Sequence, residues 1–465
     1  MAPPPNEAPQ EREKRLAAEA AAQKRSDAID EELNKQRQLE KKAPCIRILL
    51  LGQSESGKST ALKNFQLMNS PKAFREERAS WRAVVQLNVV RSMRMILGVI
   101  SEMGGRSSLS DDASSPPQDR RNPSLTPELL KLRMRLAPLQ QVEEALLRKL
   151  SPPGSMEYEA THLTPTNDSY AARSEKLKQE LAVHSSSQWK GAFVKLMTTV
   201  RNSVESLEID YTDDPADPGV ILNACCEDMI KLWSDPTLQG ILRAHNVRLE
   251  DKSGFFLDAL ERVTSLKYVP TDEDILRARL KTLGVSEHRF TFKNTGNMVS
   301  NDWRIYDVGG ARSLRAAWAP YFDNMDAIIF LSPISAFDEV LAEDPSVNRL
   351  EDSVLLWKSM ISNPLLKKAQ TVLFLNKVDL LRAKLEAGVS FGHYVVSYAT
   401  KPNDYGSVST YLRKKFTHIH KQYSPQERNL YCHLTAMTDP RMAQDVLMNV
   451  KDMVLRQNLQ DSKLM

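Results

Sequence analysis

The sequence predicts an α/β protein: helices alternate with a parallel sheet, and a separate all-helical domain is inserted after the first strand. Three observations carry that prediction. Five short apolar runs have strand length: Ile46 to Leu51, Trp303 to Tyr306, Ala327 to Leu331, Thr371 to Leu375 and Leu430 to Leu434. Helical stretches separate the last four, and such alternation favours a parallel sheet with crossover helices. Between about residues 70 and 275 the pattern is helical, with no convincing strand.

Composition bounds the class. The 465 residues suffice for two or three ordinary domains. With 26% charged and 41% hydrophobic residues, most of the chain can build cores, which excludes a disordered protein. Sixty-three Lys+Arg against fifty-nine Asp+Glu leave +4, too small an excess to argue for nucleic acid. Cys45, Cys225, Cys226 and Cys432 show no C-x-x-C spacing and no His partners at zinc spacing. That argues against a disulfide scaffold or zinc module and fits a reducing compartment. The apolar runs are strand-sized, so no membrane span is expected. The polar start, MAPPPNEAPQEREK, lacks the apolar core of a secretory signal. A cytoplasmic chain, peripheral to membranes at most, is expected.

Along the chain, residues 1–10 are Pro-rich and expected to be disordered. Residues 11–42 are rich in good helix formers, with Ile29 and Leu33 at i,i+4. A solvated helix and a helix that docks a partner along that stripe are both open readings. Ala43-Pro44 ends it. After the first strand, helices are expected over Arg75 to Met103, Val220 to Trp233 and Phe255 to Val263. Residues 104–126 and 151–187 are rich in Ser and Pro and flank an apolar-periodic helix, Leu129 to Leu150, interrupted at Pro138. The whole tract, about 104–187, reads as an irregular insertion replaceable by a linker. The expected division is an N-terminal partner-binding helix over 1–42, an α/β domain over 43–69 and 276–465, and a helical domain over 70–275.

Gly52-Gln53-Ser54-Glu55-Ser56-Gly57-Lys58-Ser59 fits G-x-x-x-x-G-K-[ST] between a strand and a helix. Its glycines let backbone N–H groups close around phosphate oxygens at a helix N-terminus. Lys58 would reach the β- and γ-phosphates and the Ser59 hydroxyl would ligate Mg²⁺. The pattern means a nucleoside triphosphate but not which base. Asn376-Lys377-Val378-Asp379 follows the run Thr371 to Leu375 and selects guanine. Its carboxylate can accept from guanine N1 and the 2-amino group, which adenine cannot supply, and Asn376 can bond the purine edge. Asp307-Val308-Gly309-Gly310 ends the run Trp303 to Tyr306. There Asp307 can hold Mg²⁺ through water, the Gly310 N–H can sense the γ-phosphate, and small residues allow close approach. Each short pattern is weak alone, and their order makes the set specific. An ATP-dependent enzyme with a chance Asn-Lys-x-Asp is the alternative from another class.

With these motifs the chain resembles the α subunits of heterotrimeric G proteins. Asp274 to Thr282 is similar to their first switch and Asp307 to Arg312 to their second. Leu341-Ala342-Glu343-Asp344 and Asn348-Arg349 also match, and the resemblance covers nearly all of 25–465 except about 104–187. It implies a P-loop, Ras-like GTPase domain with a mostly parallel six-stranded sheet, an inserted all-helical domain, and GTP or GDP with Mg²⁺ in the cleft between them. By position Arg279 is similar to the arginine finger supplied in cis, and it joins Lys58 as the implied catalytic pair. Thr282 joins Ser59 as the implied metal ligands. Glu55 looks like the acid that pairs with Arg279. Ser56, Gly57 and Thr60 belong to the phosphate site, as do Asp307, Gly309 and Gly310. Leu276 and Arg277 reach the nucleotide from the first switch, and Asp251 and Lys252 from the helical domain. Asn376, Lys377 and Asp379 take the base, with Met437 in the Thr435-Ala436-Met437-Thr438 loop that touches guanine O6. The implied partners are a βγ dimer, a seven-helix G-protein-coupled receptor and a downstream effector, at the cytoplasmic face of the plasma membrane.

The chain also departs from the family. Ala311 stands where the family has the glutamine that orients the attacking water, and a methyl cannot hold that water. Ser54 replaces a glycine beside the γ-phosphate. Met437 replaces a small alanine and is expected to push its loop outward. Leu283 replaces the usual threonine after Thr282. Ala2 stands where N-myristoylation needs glycine, and no Cys lies near the start, so lipidation is not expected there. Ser462 takes a position that is cysteine in toxin-modified members, and the apolar Leu464-Met465 suits a receptor groove. The expectation is a GTP/GDP switch with slow hydrolysis. The alternative is a hydrolysis-deficient, nucleotide-binding scaffold of the same fold.

Overall fold

The computed structural model describes residues 20, 23–27, 29–32, 45–107, 125–150, 182–184, 217–245, 247–283, 285–291, 302–310, 312–341 and 344–461. The strands are β1 (Ile46–Gly52), β2 (Ala182–His184), β3 (Lys281–Leu283), β4 (Val285–Thr291), β5 (Asp302–Val308), β6 (Ala327–Pro333), β7 (Gln370–Asn376) and β8 (Leu430–Thr435). Six of them form one sheet in the order β4-β5-β1-β6-β7-β8. The β4–β5 pair is antiparallel and every other pair in this sheet is parallel.

Side chains alternate between the two faces of a strand, and here both faces are covered. Ile48 and Leu50 share one core with Ile329 and Phe374, whereas Leu49 and Leu51 share the other with Phe330 and Leu373. Burial on both sides makes a parallel strand read as an unbroken apolar run, which is why β1, β6 and β7 are visible in the sequence, whereas one edge strand, β8, is only partly buried. The edge strand β4 carries no such run. Its sequence, VSEHRFT, buries only Ser286 and Phe290, and its pairing with β5 does the rest. Charged residues on an edge strand also discourage pairing with other chains.

The helices in chain order are α1 (Lys58–Asn69), α2 (Pro71–Glu76), α3 (Arg78–Ser107), α4 (Pro127–Arg135), α5 (Leu139–Leu150), α6 (Pro218–Ala224), α7 (Cys226–Trp233), α8 (Pro236–Ala244), α9 (Leu260–Thr264) and α10 (Asp272–Arg277). They continue with α11 (Arg349–Ile361), α12 (Val378–Glu386), α13 (Phe391–Tyr394), α14 (Tyr405–Tyr423) and α15 (Pro440–Asp461). Leu62 and Phe65 of α1 and Leu447 and Val450 of α15 cover one face of the sheet. Trp357 of α11, Leu381 of α12 and Phe416 of α14 cover the other. The Trp357 indole satisfies its N–H on the Phe416 carbonyl at 3.0 Å.

Helices α3 to α10 make a second lobe with its own core. Several expected helices are split: Glu77 separates α2 from α3, and Cys225 separates α6 from α7. The Arg78–Met103 part of α3 is long and apolar enough to cross a membrane, although the sequence reading found only strand-sized runs. Most of it is buried among the other helices of this lobe.

Two expectations need correction. The tract 104–187 is not one irregular insertion. Leu129, Leu132, Leu139, Val142 and Leu146 of α4 and α5 are buried in the same core as Val84, Val90 and Ile96 of α3. Glu143 of α5 is clasped by Arg91 and Arg94 of α3. Thr126 caps α4, its hydroxyl accepting from the Leu129 N–H at 3.3 Å. A linker replacing the whole tract would remove part of the core. Residues 108–124 and 151–181 lie outside the described residues. The second correction is β2, a strand in the interval read as strand-free. It pairs in parallel with β3, Val183 opposite Thr282. Three residues are too few to show a period of two, and the partner is remote in sequence.

At the N-terminus, residues 23–27 and 29–32 are helical and Ile29 is exposed. Leu33 and Ala43-Pro44 lie outside the described residues.

Leu146→Ala tests whether α5 is core. It should cost about 2–5 kcal/mol of unfolding free energy in a denaturant titration followed by circular dichroism. A cost near zero would return α5 to the status of an appendage.

Candidate functional site

A cleft of about 380 Å³ opens where the carboxyl ends of β1, β5 and β7 face the helical lobe. That volume lies within the range of small-ligand sites, about 300–1,000 Å³. The carboxyl end of an open α/β sheet is also where loops rather than crossovers face a ligand.

The loop after β1 forms its floor. Gly57 has φ of +104°, and a side chain there would collide with the Asn376 carboxamide. A side chain at Gly310 would collide with the backbone of Gln53 and Ser54. The Ser54 N–H donates to the Gly310 carbonyl at 3.1 Å, so the loop and the end of β5 touch directly. Helix α1 starts at Lys58 and directs its free N–H groups and positive dipole end into the cleft. Lys58 is buried, its Nζ donating to the carbonyls of Gly52 at 2.9 Å and Gln53 at 2.6 Å. Burial pushes this amine down to about 8, against the upward pull of Asp307.

The Ser59 hydroxyl donates to Asp307 Oδ2 at 3.0 Å, and Asp307 is buried. These are hard oxygen donors of the kind Mg²⁺ takes, with room on the cleft side of Ser59 for further oxygen ligands. No cluster of three or more His, Cys, Asp or Glu exists among the described residues.

Glu55 stands at the cleft edge with φ of +60°, ion-paired to Arg279 and 3.7 Å from Arg349. Burial pushes its carboxyl up, but Arg279, Arg349, Lys377 and Lys252 outweigh that and hold it at about 2. Arg279 is fixed by its backbone as well as its side chain. Its N–H donates to Asn88 Oδ1 at 2.8 Å, and its carbonyl accepts from Asn88 Nδ2 at 3.0 Å. Lys63 of α1 holds the same segment, donating to the Ile275 and Ala278 carbonyls at 2.8 and 2.7 Å. Thr60 reaches the Leu276 carbonyl at 3.4 Å, and Arg277 lies 3.7 Å from Asp258.

At the other end, Asp379 is exposed on the cleft wall in the first turn of α12. Lys377 is in left-handed backbone at φ of +64° and also lines the wall. Asn376 has a structural role that its motif alone does not predict. Its Nδ2 donates to the Ser56 carbonyl at 2.8 Å, and its Oδ1 accepts from Thr435 Oγ1 and the Met437 N–H, both at 3.1 Å. Through these bonds Asn376 braces three loops as well as standing at the cleft. Met437 differs from expectation. Its side chain is buried in the core beneath α1 and α15, and its carbonyl accepts from Asn64 at 2.9 Å. The bulk points inward, so the loop is not pushed out.

Of the other expected site residues, Ser56, Asp251, Lys252, Leu276, Arg277 and Gly310 all line the cleft. Asp307 and Gly309 stand behind the lining. Asp307 connects to it through Ser59, and the Gly309 carbonyl accepts from the Trp318 indole at 3.1 Å. Thr282 sits on β3, paired with Val183 of β2. Ala311 lies outside the described residues. Sequence reasoning assigned no role to Asn88, Lys63 or Lys384, and matched Arg349 to the family without placing it at the site. Asn88 alone left a signal, a polar side chain within an apolar helix. Lys384 joins the lobes: its Nζ is 2.6 Å from Asp338, 2.8 Å from Glu339 and 3.4 Å from Asp251 of the helical lobe.

Comparison with known proteins bears on what this cleft holds. The family model described as "G-protein alpha subunit" matches residues 23–454. The chain is 33% identical to the guanine nucleotide-binding protein alpha-4 subunit of Mycosarcoma maydis, over 99% of this chain and 93% of that protein. It is 28% identical to the alpha-1 subunit of the same organism, over 95% and 97%. It is 27% identical to the guanine nucleotide-binding protein subunit alpha of Coprinellus congregatus, over 96% and 97%.

The Glu55 cluster makes a pH prediction. The carboxyl is held at about 2 in the folded chain against an ordinary 4.5. Its contribution is therefore complete above about pH 4.5 and lost as pH falls toward 2. Glu55→Gln should lower unfolding free energy by an amount that is constant near neutrality and shrinks below about pH 4.5. A difference independent of pH in paired denaturant titrations would show that the charge of Glu55 is not what stabilises the loop.

Proposed function

The chain belongs to the G-protein α-subunit family, and from that premise we propose a GTP/GDP switch with a slow hydrolysis step. Members of this family bind guanine nucleotide, hydrolyse GTP and transduce signals. The family brings with it a Ras-like domain and a helical insertion. The observation that supports the reading best is the convergence of Lys58, Ser59, Arg279 and Asp379 on one cleft.

In this reading the phosphates lie over the N-terminus of α1, where backbone N–H groups and the helix dipole favour anions. Lys58 exchanges its loop carbonyls for phosphate oxygens. Ser59 and Asp307 would hold Mg²⁺, joined by Thr282 on the strength of the resemblance. The ion, when bound, neutralises phosphate charge. Arg279 is kept near by Glu55, and its guanidinium stabilises charge that develops on the γ-phosphoryl. Asp379 accepts from guanine N1 and the 2-amino group. Asp251 and Lys252 close the cleft from the helical lobe.

The slow step follows from Ala311 and Ser54. A methyl cannot orient the attacking water, and Ser54, whose N–H binds the Gly310 carbonyl, brings a hydroxymethyl group to the cleft lining where the family has glycine. Losing a positioning group commonly costs on the order of a hundredfold, about 3 kcal/mol of barrier. The same substitution supports a second reading, a nucleotide-binding scaffold without turnover, and single-turnover hydrolysis separates the two. The partners in this proposal are a βγ dimer at the N-terminal helix and second switch, a seven-helix receptor at the C-terminus and an effector. The chain then works at the cytoplasmic face of the plasma membrane, with membrane contact through those partners.

Two measurements test the proposal. Asp379→Asn should abolish GTP binding and favour xanthine nucleotide, a change of several kcal/mol. Unchanged GTP affinity would remove the guanine assignment. Ala311→Gln should speed single-turnover hydrolysis, and more so with Ser54→Gly, without additivity because both sites border the γ-phosphate. If the double variant is no faster than wild type, another residue positions the water.

A further inference from the structure

The outer face of α14 has no part in the function just proposed. The helix, YGSVSTYLRKKFTHIHKQY, contains Arg413, Lys414, Lys415 and Lys421 and no Asp or Glu. Those four uncompensated charges equal the formal net charge of the whole chain, +4, so an excess that is slight over 465 residues is matched by one helix. Val408, Leu412, Phe416 and Ile419 bury its inner side. Residues three and four apart share a helix face, so Lys414, Lys415, His418 and Lys421 follow Tyr411 along the opposite side, and all four are exposed. The 19 residues make a face about 28 Å long.

An aliphatic side chain stands beside this face. Val396 is 85% exposed, more than any other large hydrophobic residue among the described ones. It opens the 3-10 turn Val396–Tyr398. Tyr398 is buried, edge-on to Phe391 with ring centroids 4.9 Å apart and to Tyr411 of α14 at 5.1 Å. Ser397 shares a hydrogen bond of 2.6 Å with the Tyr411 hydroxyl. The turn is thereby fixed to α14 and holds Val396 out in solvent. Lys401 lies over the Tyr411 and Tyr398 rings, at 4.9 and 5.6 Å from their centroids, and adds a cation at the junction.

We infer that this face of α14, with Val396 at its edge, docks directly on an anionic lipid surface. Lysine ammonium groups are hydrated point charges on flexible stems, which suits a layer of headgroups whose positions are not fixed. An aliphatic group held beside them enters the boundary between headgroups and acyl chains, a contact that an acidic protein segment in water does not offer. This goes beyond the membrane contact through partners proposed above, and it does not depend on which nucleotide the cleft holds.

Co-sedimentation of the full chain with vesicles tests this, one set of phosphatidylcholine alone and one with about 30% phosphatidylserine, at about 0.1 and about 0.5 M salt. Wild type should bind the anionic vesicles about tenfold or more tightly than the neutral ones and lose that preference at the higher salt. Lys414→Gln with Lys421→Gln should weaken anionic-vesicle binding about thirtyfold, since each lysine at such a surface contributes roughly a factor of five. Val396→Ser should weaken it about fivefold without changing its salt dependence. It lies outside α14, so it carries the test alone if the lysine variant does not fold. Arg133→Gln with Lys149→Gln removes the same charge from exposed positions of the helical lobe and should leave binding within about twofold of wild type. Equal binding to neutral and anionic vesicles overturns the inference, and so does unchanged binding in the α14 and Val396 variants. An equal loss in both double variants marks net charge alone and overturns it too. If soluble poly-glutamate binds as tightly as the vesicles and Val396→Ser has no effect, the face takes an acidic protein segment and the lipid assignment falls.

Discussion

Three segments meet at the carboxyl end of the sheet so closely that no side chain fits at Gly57 or Gly310. Gly57 abuts Asn376, and Gly310 abuts Gln53 and Ser54. Asn376 then ties the phosphate loop to the segment after β8, bonding the Ser56 carbonyl on one side and Thr435 and Met437 on the other. This contact is what makes a floor out of loops that come from distant parts of the chain. The sheet beneath supplies its rigidity, since β1 is buried on both faces and paired on both edges. A binding site carried on rigid elements keeps its geometry without help from the ligand.

The charges above that floor are arranged so that none is buried alone. Glu55 balances Arg279 and approaches Arg349, which also pairs with Glu339. Glu339 in turn balances Lys384, which touches Asp338 and Asp251, and Asp338 meets Arg248 of the helical lobe. Removing charges from water is costly, and a buried pair adds stability only when its geometry is good and its remaining bonds are made. The value of this chain of pairs lies in where it runs. It passes along one edge of the cleft and connects the two lobes, so a ligand that alters Arg279 or Lys377 acts on the same charges that hold the lobes together.

The helical lobe reaches the cleft through Asn88, the segment Glu250 to Phe255 and Asp258. Asn88 holds the Arg279 backbone, and Asp251 and Lys252 line the opening. Its own stability comes from α3, around which α4 and α5 pack by apolar contacts and the Glu143 clasp.

The sequence by itself determined the sheet strands that are buried on both faces, because continuous burial demands a continuous apolar run. It also determined the phosphate loop and the Asp307 and Asn376 motifs, because backbone approach and charge restrict those positions to few residue types, while the pairing of Glu55 with Arg279 came from the family resemblance. Tertiary structure alone decided the rest. Strands β2, β3 and β4 are made by their partners rather than by their own pattern. Helices α4 and α5 become core only because α3 offers them an apolar face, while the Ser- and Pro-rich flanks in the sequence argued for an appendage. Asn376 turns out to brace loops, Met437 to fill the core, and Gln53 to reach a carboxylate about 300 positions away. A side chain's partners depend on which distant segment folds beside it, and no local pattern carries that information.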